Sequence, residues 1–534
     1  MLAFFLIFSG ARFPASGLLW AENGPENGSP REKGGPDGSD TGSDPSDDSD
    51  GFDPLYNPLI PFSGWGMDLQ LLGAGEETWK PVVTLRTLAL SDAGGTEKPF
   101  HRARGGRFEA IAGVDVARVD YGFTILAAAL GQDGDFSKQS TGGLYAGQFW
   151  YGSPYVSHPH PMEGRSFPFF RAGYQPMQSD PLGLLYDLRA PAVILGAQWR
   201  SRLGPVLGFQ FSALDLSDAD PYFRNRARTG QARFYGVELF FYRKGLSLEL
   251  SYGNFRINGQ SARSDGRIQE LVLWDGQNAI PAQYVHYSGL GLQWRSQDVR
   301  LDFQAYGSHG QQSARTAFGG EEFLSRKTIR GWMVGGRFLW RIFEDSEIGF
   351  AGLGSSRQRK DADDFHGFGA LNPRPRLLGG LGSILLYARP PFDQSHPMSN
   401  MRFYDGFPSD HYSQNSRNVD SGQMRRDMVI PDHGNRGIRM AGIQWSTELS
   451  YPRFLDLGWN ELAIHLNRAE FKDAQGTEAV AILHYDLGFL EFTLSAAGAY
   501  ITPAAESPNP YTGLIPSSKR RFFSRYGFAF SAKY

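Results

Sequence analysis

The stretch Arg520–Tyr534, RRFFSRYGFAFSAKY, decides how the rest of the chain is read. From Tyr526 the aromatic or apolar residues take every second position: Tyr526, Phe528, Phe530, Ala532 and Tyr534. Gly527, Ala529, Ser531 and Lys533 stand between them. Period-two alternation marks a half-buried strand with one greasy and one polar face. Termini of soluble domains usually fray, whereas this one is patterned as if built into a sheet.

The same rhythm recurs upstream. RFEAIAGVDVA sets Phe108, Ala110, Ala112, Val114 and Val116 against Arg107, Glu109, Gly113 and Asp115. GLSLELSYG sets Leu246, Leu248, Leu250 and Tyr252 against Ser247, Glu249 and Ser251. VRLDFQAY and LEFTLSA repeat it around Phe303 and Phe492. The pattern predicts 18 strands: 81–90, 107–117, 119–129, 167–176, 191–200, 205–214, 231–243, 245–255, 285–295, 298–307, 329–341, 346–354, 380–389, 437–449, 459–470, 477–486, 488–499 and 522–534. Stretches 142–151 and 398–404 offer a further pair, so the range is 16–20.

Composition agrees with strands that meet lipid on alternate residues. Aromatics reach 14%, with 66 glycines, yet mean hydropathy is only −0.37. No apolar run approaches the ~20 residues a spanning helix needs. The net charge of −3 gives no footprint for nucleic acid. With no cysteine, disulfides, thiolate metal sites and thiol catalysis are excluded. About 43 of the 53 basic residues are arginine, whose planar fork suits carboxylates and phosphates.

The connections are sorted by length. Short turns join Val116 to Val119, Trp199 to Val206, Tyr242 to Leu246, Trp294 to Val299 and Tyr485 to Phe489, with long polar stretches between those hairpins. Short turns at one end and long loops at the other are the pattern of an outer-membrane barrel. Trp199-Arg200, Tyr242-Arg243, Trp294-Arg295 and Trp340-Arg341 each close a strand before a tight turn. Aromatic rings favour the lipid–water interface and a neighbouring arginine reaches the headgroups. Trp199, Tyr242, Trp294, Trp340 and Tyr534 are therefore expected to form an interface girdle on the periplasmic side. The final strand resembles the C-terminal signal of bacterial outer-membrane proteins, and should pair with the first strand near 81–90 to leave no edge in lipid.

The expected fold is all-β: a transmembrane antiparallel up-and-down β-barrel of about 18 strands. In-phase polar residues should line its lumen as a substrate path. The basic ones are Arg86, Arg107, Arg171, Arg300, Arg337 and Arg525. The acidic ones are Asp115, Asp120, Glu238, Glu249, Asp302, Glu461 and Glu491. Both signs occur, so a solvated wall of mutually satisfied charges stays open beside a path for acidic solutes.

Phe170–Pro191, FRAGYQPMQSDPLGLLYDLRAP, resembles a stretch of porins, where a strand step leads through a loop into the next strand. It is similar to a step in the alginate-export barrels, and Phe392–Pro408 resembles that family's late loop. The resemblance implies an 18-stranded outer-membrane barrel; the acids of this lumen keep the family's substrate from being carried over.

Residues 1–21 resemble a signal peptide, and 22–64 read as a disordered linker rich in Gly, Ser and Asp. Residues 65–534 then form the barrel with long extracellular loops. His158, His160 and Glu163 lie close in sequence, and His465 and His484 fall in strands, but no metal, cofactor or catalytic motif is expected. The expected function is a porin or exporter of hydrophilic solutes, acidic ones among them, in the outer membrane of a diderm bacterium. Its partners would be outer-membrane lipids, small solutes or polysaccharide, and the barrel-assembly machinery, with no nucleic acid. A surface adhesin acting through its long loops, or a barrel-rim enzyme, are the other readings.

Overall fold

A computed structural model describes residues 78–94, 103–117, 121–134, 139–151, 166–200, 205–216, 232–243, 245–257, 263–264, 267–268, 282–318, 321–343, 345–357, 364–371, 375–386, 437–449, 459–471, 474–486, 490–503 and 521–533. Its strands are β1 (Thr78–Gly94), β2 (Ala103–Ala117), β3 (Tyr121–Gly134), β4 (Gln139–Tyr151), β5 (Ser166–Gln178), β6 (Asp187–Arg200), β7 (Val206–Asp215), β8 (Ala232–Arg243) and β9 (Leu246–Ile257). A two-residue pair, β10 (Arg263–Ser264) and β11 (Arg267–Ile268), interrupts the next connection. Then come β12 (Ala282–Arg295), β13 (Val299–Phe318), β14 (Glu321–Phe343), β15 (Ser346–Ser355), β16 (Ile438–Glu448), β17 (Trp459–Phe471), β18 (Ala474–Asp486), β19 (Leu490–Pro503) and β20 (Arg521–Lys533).

Leaving β10 and β11 aside, each strand pairs antiparallel with its chain neighbours in one 18-stranded sheet. The sheet closes on itself: β20 pairs with β1 from Thr84↔Lys533 to Gly94↔Phe523. Closure leaves no strand at an open edge, which hydrocarbon demands of any spanning sheet. The terminal alternation is as expected, with Tyr526 and Phe528 exposed and Gly527, Ala529 and Ser531 buried.

The outward face is apolar. In one row across three strands Leu239, Leu250 and Leu290 stand in register, 53%, 56% and 45% exposed. Leucines so exposed would be unfavourable in water and fit a bilayer. Phe108 and Val114 also face outward, while Val116, at the turn, is buried.

Below that row lies the expected girdle. Register links Trp199 to Leu207, Val206 to Tyr242, Leu246 to Trp294 and Val299 to Trp340, so the four aromatics share one rim. Trp199, Trp294 and Trp340 are exposed and Tyr242 half-buried; Tyr534 lies outside the described residues. A second girdle, not foreseen from sequence, contains Tyr235, Tyr252, Tyr284 and Trp332, all exposed. On β12, Tyr284 and Trp294 are ten residues apart. That is about 33 Å along a strand, or about 25 Å along the normal of a barrel tilted by roughly 40°, the height of a lipid-facing band.

Two expectations are corrected. Segment 380–389 was predicted as a strand, but 380–386 is a 3₁₀ turn, Gly380–Gly382, followed by a further buried turn. Leu378, Gly379 and Gly380 take φ of 58°, 87° and 51°, which extended backbone cannot accommodate. The stretch 142–151, offered only as an extra strand, is most of β4, so the count of 18 survives by exchange. The sorting of connections also has exceptions. The short-turn end carries 152–165, and the long-loop end carries the two-residue connections 319–320 and 472–473. The first of these caps a hairpin whose strands are 20 and 23 residues long, well beyond the ~9–11 that span a bilayer.

Candidate functional site in the barrel interior

The interior is organised by two segments that fold inward, neither read as such from sequence. One is 179–186, between β5 and β6; the other comprises 364–371 and 375–386, after β15. They bond to each other, Leu371 N–H donating to the Leu185 carbonyl at 2.8 Å and Arg376 N–H to that of Leu182 at 3.0 Å. Arg376 also pairs with Asp187 at 2.7 Å.

The segments bury Leu182, Leu184, Leu185, Phe368, Leu371, Leu377, Leu378, Leu385 and Leu386. These pack on inward side chains from every barrel strand between β5 and β20, among them Phe169, Phe234, Phe255, Tyr306, Met333, Val480 and Ala529. Such apolar burial, at about 25 cal/mol per Å², fixes the segments against one arc of the wall. Rings add to it: Phe368 stacks on Tyr306 at 6.4 Å and meets Tyr287 edge-on at 5.9 Å.

Each segment is pinned by one buried carboxylate. Asp180 accepts N–H bonds from Leu182 at 2.9 Å and Leu184 at 3.0 Å, and hydroxyl bonds from Ser179 at 2.6 Å and Tyr306 at 3.0 Å. Burial pushes this carboxyl above the usual carboxylate range, while those hydrogen bonds pull it down. Glu478 on β18 accepts the amides of Ile384 at 2.8 Å and Leu385 at 3.0 Å, the Ser383 hydroxyl at 2.5 Å and the Asn467 amide at 2.8 Å. Backbone N–H groups turned inward from a loop need such acceptors. Tyr287 donates to the Gly369 carbonyl at 2.7 Å and Asn467 to that of Leu378 at 2.9 Å.

The wall from β2 to β5 is different. Asp115 accepts from the Thr124 hydroxyl at 2.6 Å, Gln148 donates to Thr124 at 3.3 Å, and Arg171 donates to the Gln148 side-chain oxygen at 2.9 and 2.6 Å. Asp115, Thr124 and Gln148 are directly opposed in register, and Gly173 opposes Gln148 on β5. Gly173 has φ 133°, and a Cβ there would stand 1.9 Å from the Gly147 carbonyl oxygen. Only glycine lets β5 come close enough to bring Arg171 onto the ladder.

The remaining expected path residues distribute as follows. Arg337 pairs with Asp302 at 2.8 Å, and the half-buried Arg300 reaches the same carboxylate at 3.6 Å. Arg525 is buried and donates to the Ser383 carbonyl at 3.0 Å, so it holds the inward segment. Glu238 accepts from Gln210, Glu249 is half-buried beside it, and Glu491 is buried. Arg86 and Arg107 stand on β1 and β2 and Glu461 on β17, with side chains outside the described residues. Asp120, His158, His160 and Glu163 also lie outside them. His484 meets the Thr493 hydroxyl at 2.9 Å and His465 is buried. Among the described residues no three metal-ligating side chains come together.

No family model and no curated protein matches the chain, so the alginate-export likeness stays a resemblance of two stretches. Phe392–Pro408, the second of them, lies outside the described residues. Solved structures do match. Pseudomonas aeruginosa OccK3 (OpdO) is 11% identical, covering 85% of this chain and 96% of its own, with a TM-score of 0.40. The outer membrane protein opdK of Pseudomonas aeruginosa is 11% identical over 85% and 99%, with a TM-score of 0.41. Pseudomonas aeruginosa OccD3 (OpdP) is 10% identical over 86% and 93%, with a TM-score of 0.40.

Proposed function

We propose that the protein is a porin-type channel of a diderm outer membrane, passing small hydrophilic solutes through a narrowed lumen. The observation that carries this reading is the division of the inner wall. An apolar arc from β5 to β20 is occupied by the inward segments, and the polar ladder Asp115–Thr124–Gln148–Arg171 stands on the arc beside it. A hydrogen-bonding wall beside a rigid constriction is how a channel sorts polar solutes. The narrowing favours small solutes over a polysaccharide. A preference for acidic ones rests on Arg171, the guanidinium that Gln148 holds on this polar ladder.

Purified protein in a planar bilayer should give unit current steps. Arg171→Ala should raise the cation-to-anion permeability ratio roughly twofold or more, read as the zero-current potential in a KCl gradient. A silent bilayer with wild-type protein would remove the channel reading. Steps with an unchanged ratio would remove only the acidic preference.

A further inference from the structure

We infer that the outer surface of β8, β9, β12, β13 and β14 holds a binding site for the phosphate groups of an outer-leaflet lipid. It rests on the membrane reading above and concerns the opposite face of the wall. Register places Asn254, His286, His309 and Arg330 in one row across four adjacent strands. Arg256 and Arg233 stand together two residues along from Asn254 and Tyr235, in register with each other. Arg233, Arg256, His309 and Arg330 are exposed on the outward face. Strands lie about 4.8 Å apart, so the row from Asn254 to Arg330 spans about 14 Å, the scale of one lipid headgroup.

The site is preorganised. Arg256 donates to the Asn254 side-chain oxygen at 2.7 Å, lies 4.8 Å above the Tyr284 ring and reaches its hydroxyl at 3.4 Å. Asn254 lies 3.3 Å from His286 Nδ1, which also meets the Tyr252 hydroxyl, and the Tyr284 ring packs edge-on against His286 at 4.6 Å. A guanidinium held flat on an aromatic face offers its remaining N–H groups in a fixed direction, suited to bidentate phosphate binding. Asp215, opposite Arg233, and Asp364, which accepts the Thr328 amide at 2.8 Å, flank the two ends. The balance between them is cationic.

Position selects a lipid over another anion. Tyr252, Tyr284 and Trp332 belong to the second girdle; Arg256 is in register with Tyr284, and Arg330 stands two residues beyond Trp332, on the side away from the leucine band. Acyl chains would lie along that band, and the headgroup would meet the arginines.

The test is native mass spectrometry of the full chain in detergent, titrated with diphosphoryl lipid A. The Arg256→Ala/Arg330→Ala double variant should bind about tenfold more weakly while still inserting into vesicles. Arg243→Ala/Arg295→Ala, exposed at the opposite rim, should bind as wild type. Equal binding by the first variant, equal loss in the second, or displacement by inorganic phosphate at matching concentration would overturn the site. Wild-type protein that fails to enter vesicles at all would overturn the membrane reading with it.

Discussion

Deletion of Phe528–Tyr534 is expected to abolish the folded barrel. β20 lies between β19 and β1, and these residues supply partners for Thr84–Ala89 on one side and Leu490–Leu494 on the other. Without them both neighbours present unpaired N–H and C=O groups to hydrocarbon, each costing several kcal/mol. Exposed Phe528 leaves the lipid face as well, and buried Ala529 leaves the interior cluster. The full-length chain should resist SDS unless boiled and migrate as a compact species. The truncated chain should run only as unfolded protein, whether or not the barrel-assembly machinery is supplied. A heat-modifiable truncated species would mean that β20 does not close the sheet.

Leu250→Arg is expected to destabilise the barrel by roughly 2–4 kcal/mol, the cost of a charge near the bilayer midplane. Leu250 stands between Leu239 and Leu290, in a row that lies between Tyr284 and Trp294 on β12, so the arginine is placed in the apolar band. Glu249→Arg, one residue along and turned inward beside Glu238, should cost much less. Denaturant titration in phospholipid vesicles reads both. Equal losses would mean that the alternation does not separate lipid from lumen.

Much of this architecture was legible because a half-buried strand writes its two environments into alternate residues. Leu248, Glu249 and Leu250 could be assigned to faces with no other information. The Trp-Arg and Tyr-Arg steps were legible for the same reason, since an interface selects one chemistry at one height. The interior was not. LLGGLGSILL, Leu377–Leu386, is apolar but for Ser383, and hydrophobicity alone cannot tell a lipid-facing strand from a turn buried inside the lumen. Its glycines, Gly379 and Gly380, were the available signal. Asp180 and Glu478 were missed because their role is to accept backbone N–H groups, which no side-chain motif records. Arg525 reads as a path residue by phase, yet its partner is a carbonyl 142 residues earlier in the chain. The second girdle was overlooked because Tyr235, Tyr252, Tyr284 and Trp332 align only once the register is known.

The most direct test of a lipid-facing, closed barrel is spin-label accessibility along β9. The chain contains no cysteine, so a single introduced cysteine at each position from Ser247 to Tyr252 carries the only label. In bilayers, positions 248, 250 and 252 are expected to be accessible to dissolved oxygen and shielded from a water-soluble nickel chelate. Positions 247, 249 and 251 should show low oxygen access. A profile without period two, or with oxygen access at 247, 249 and 251 instead, would contradict the assignment of the outward face to lipid.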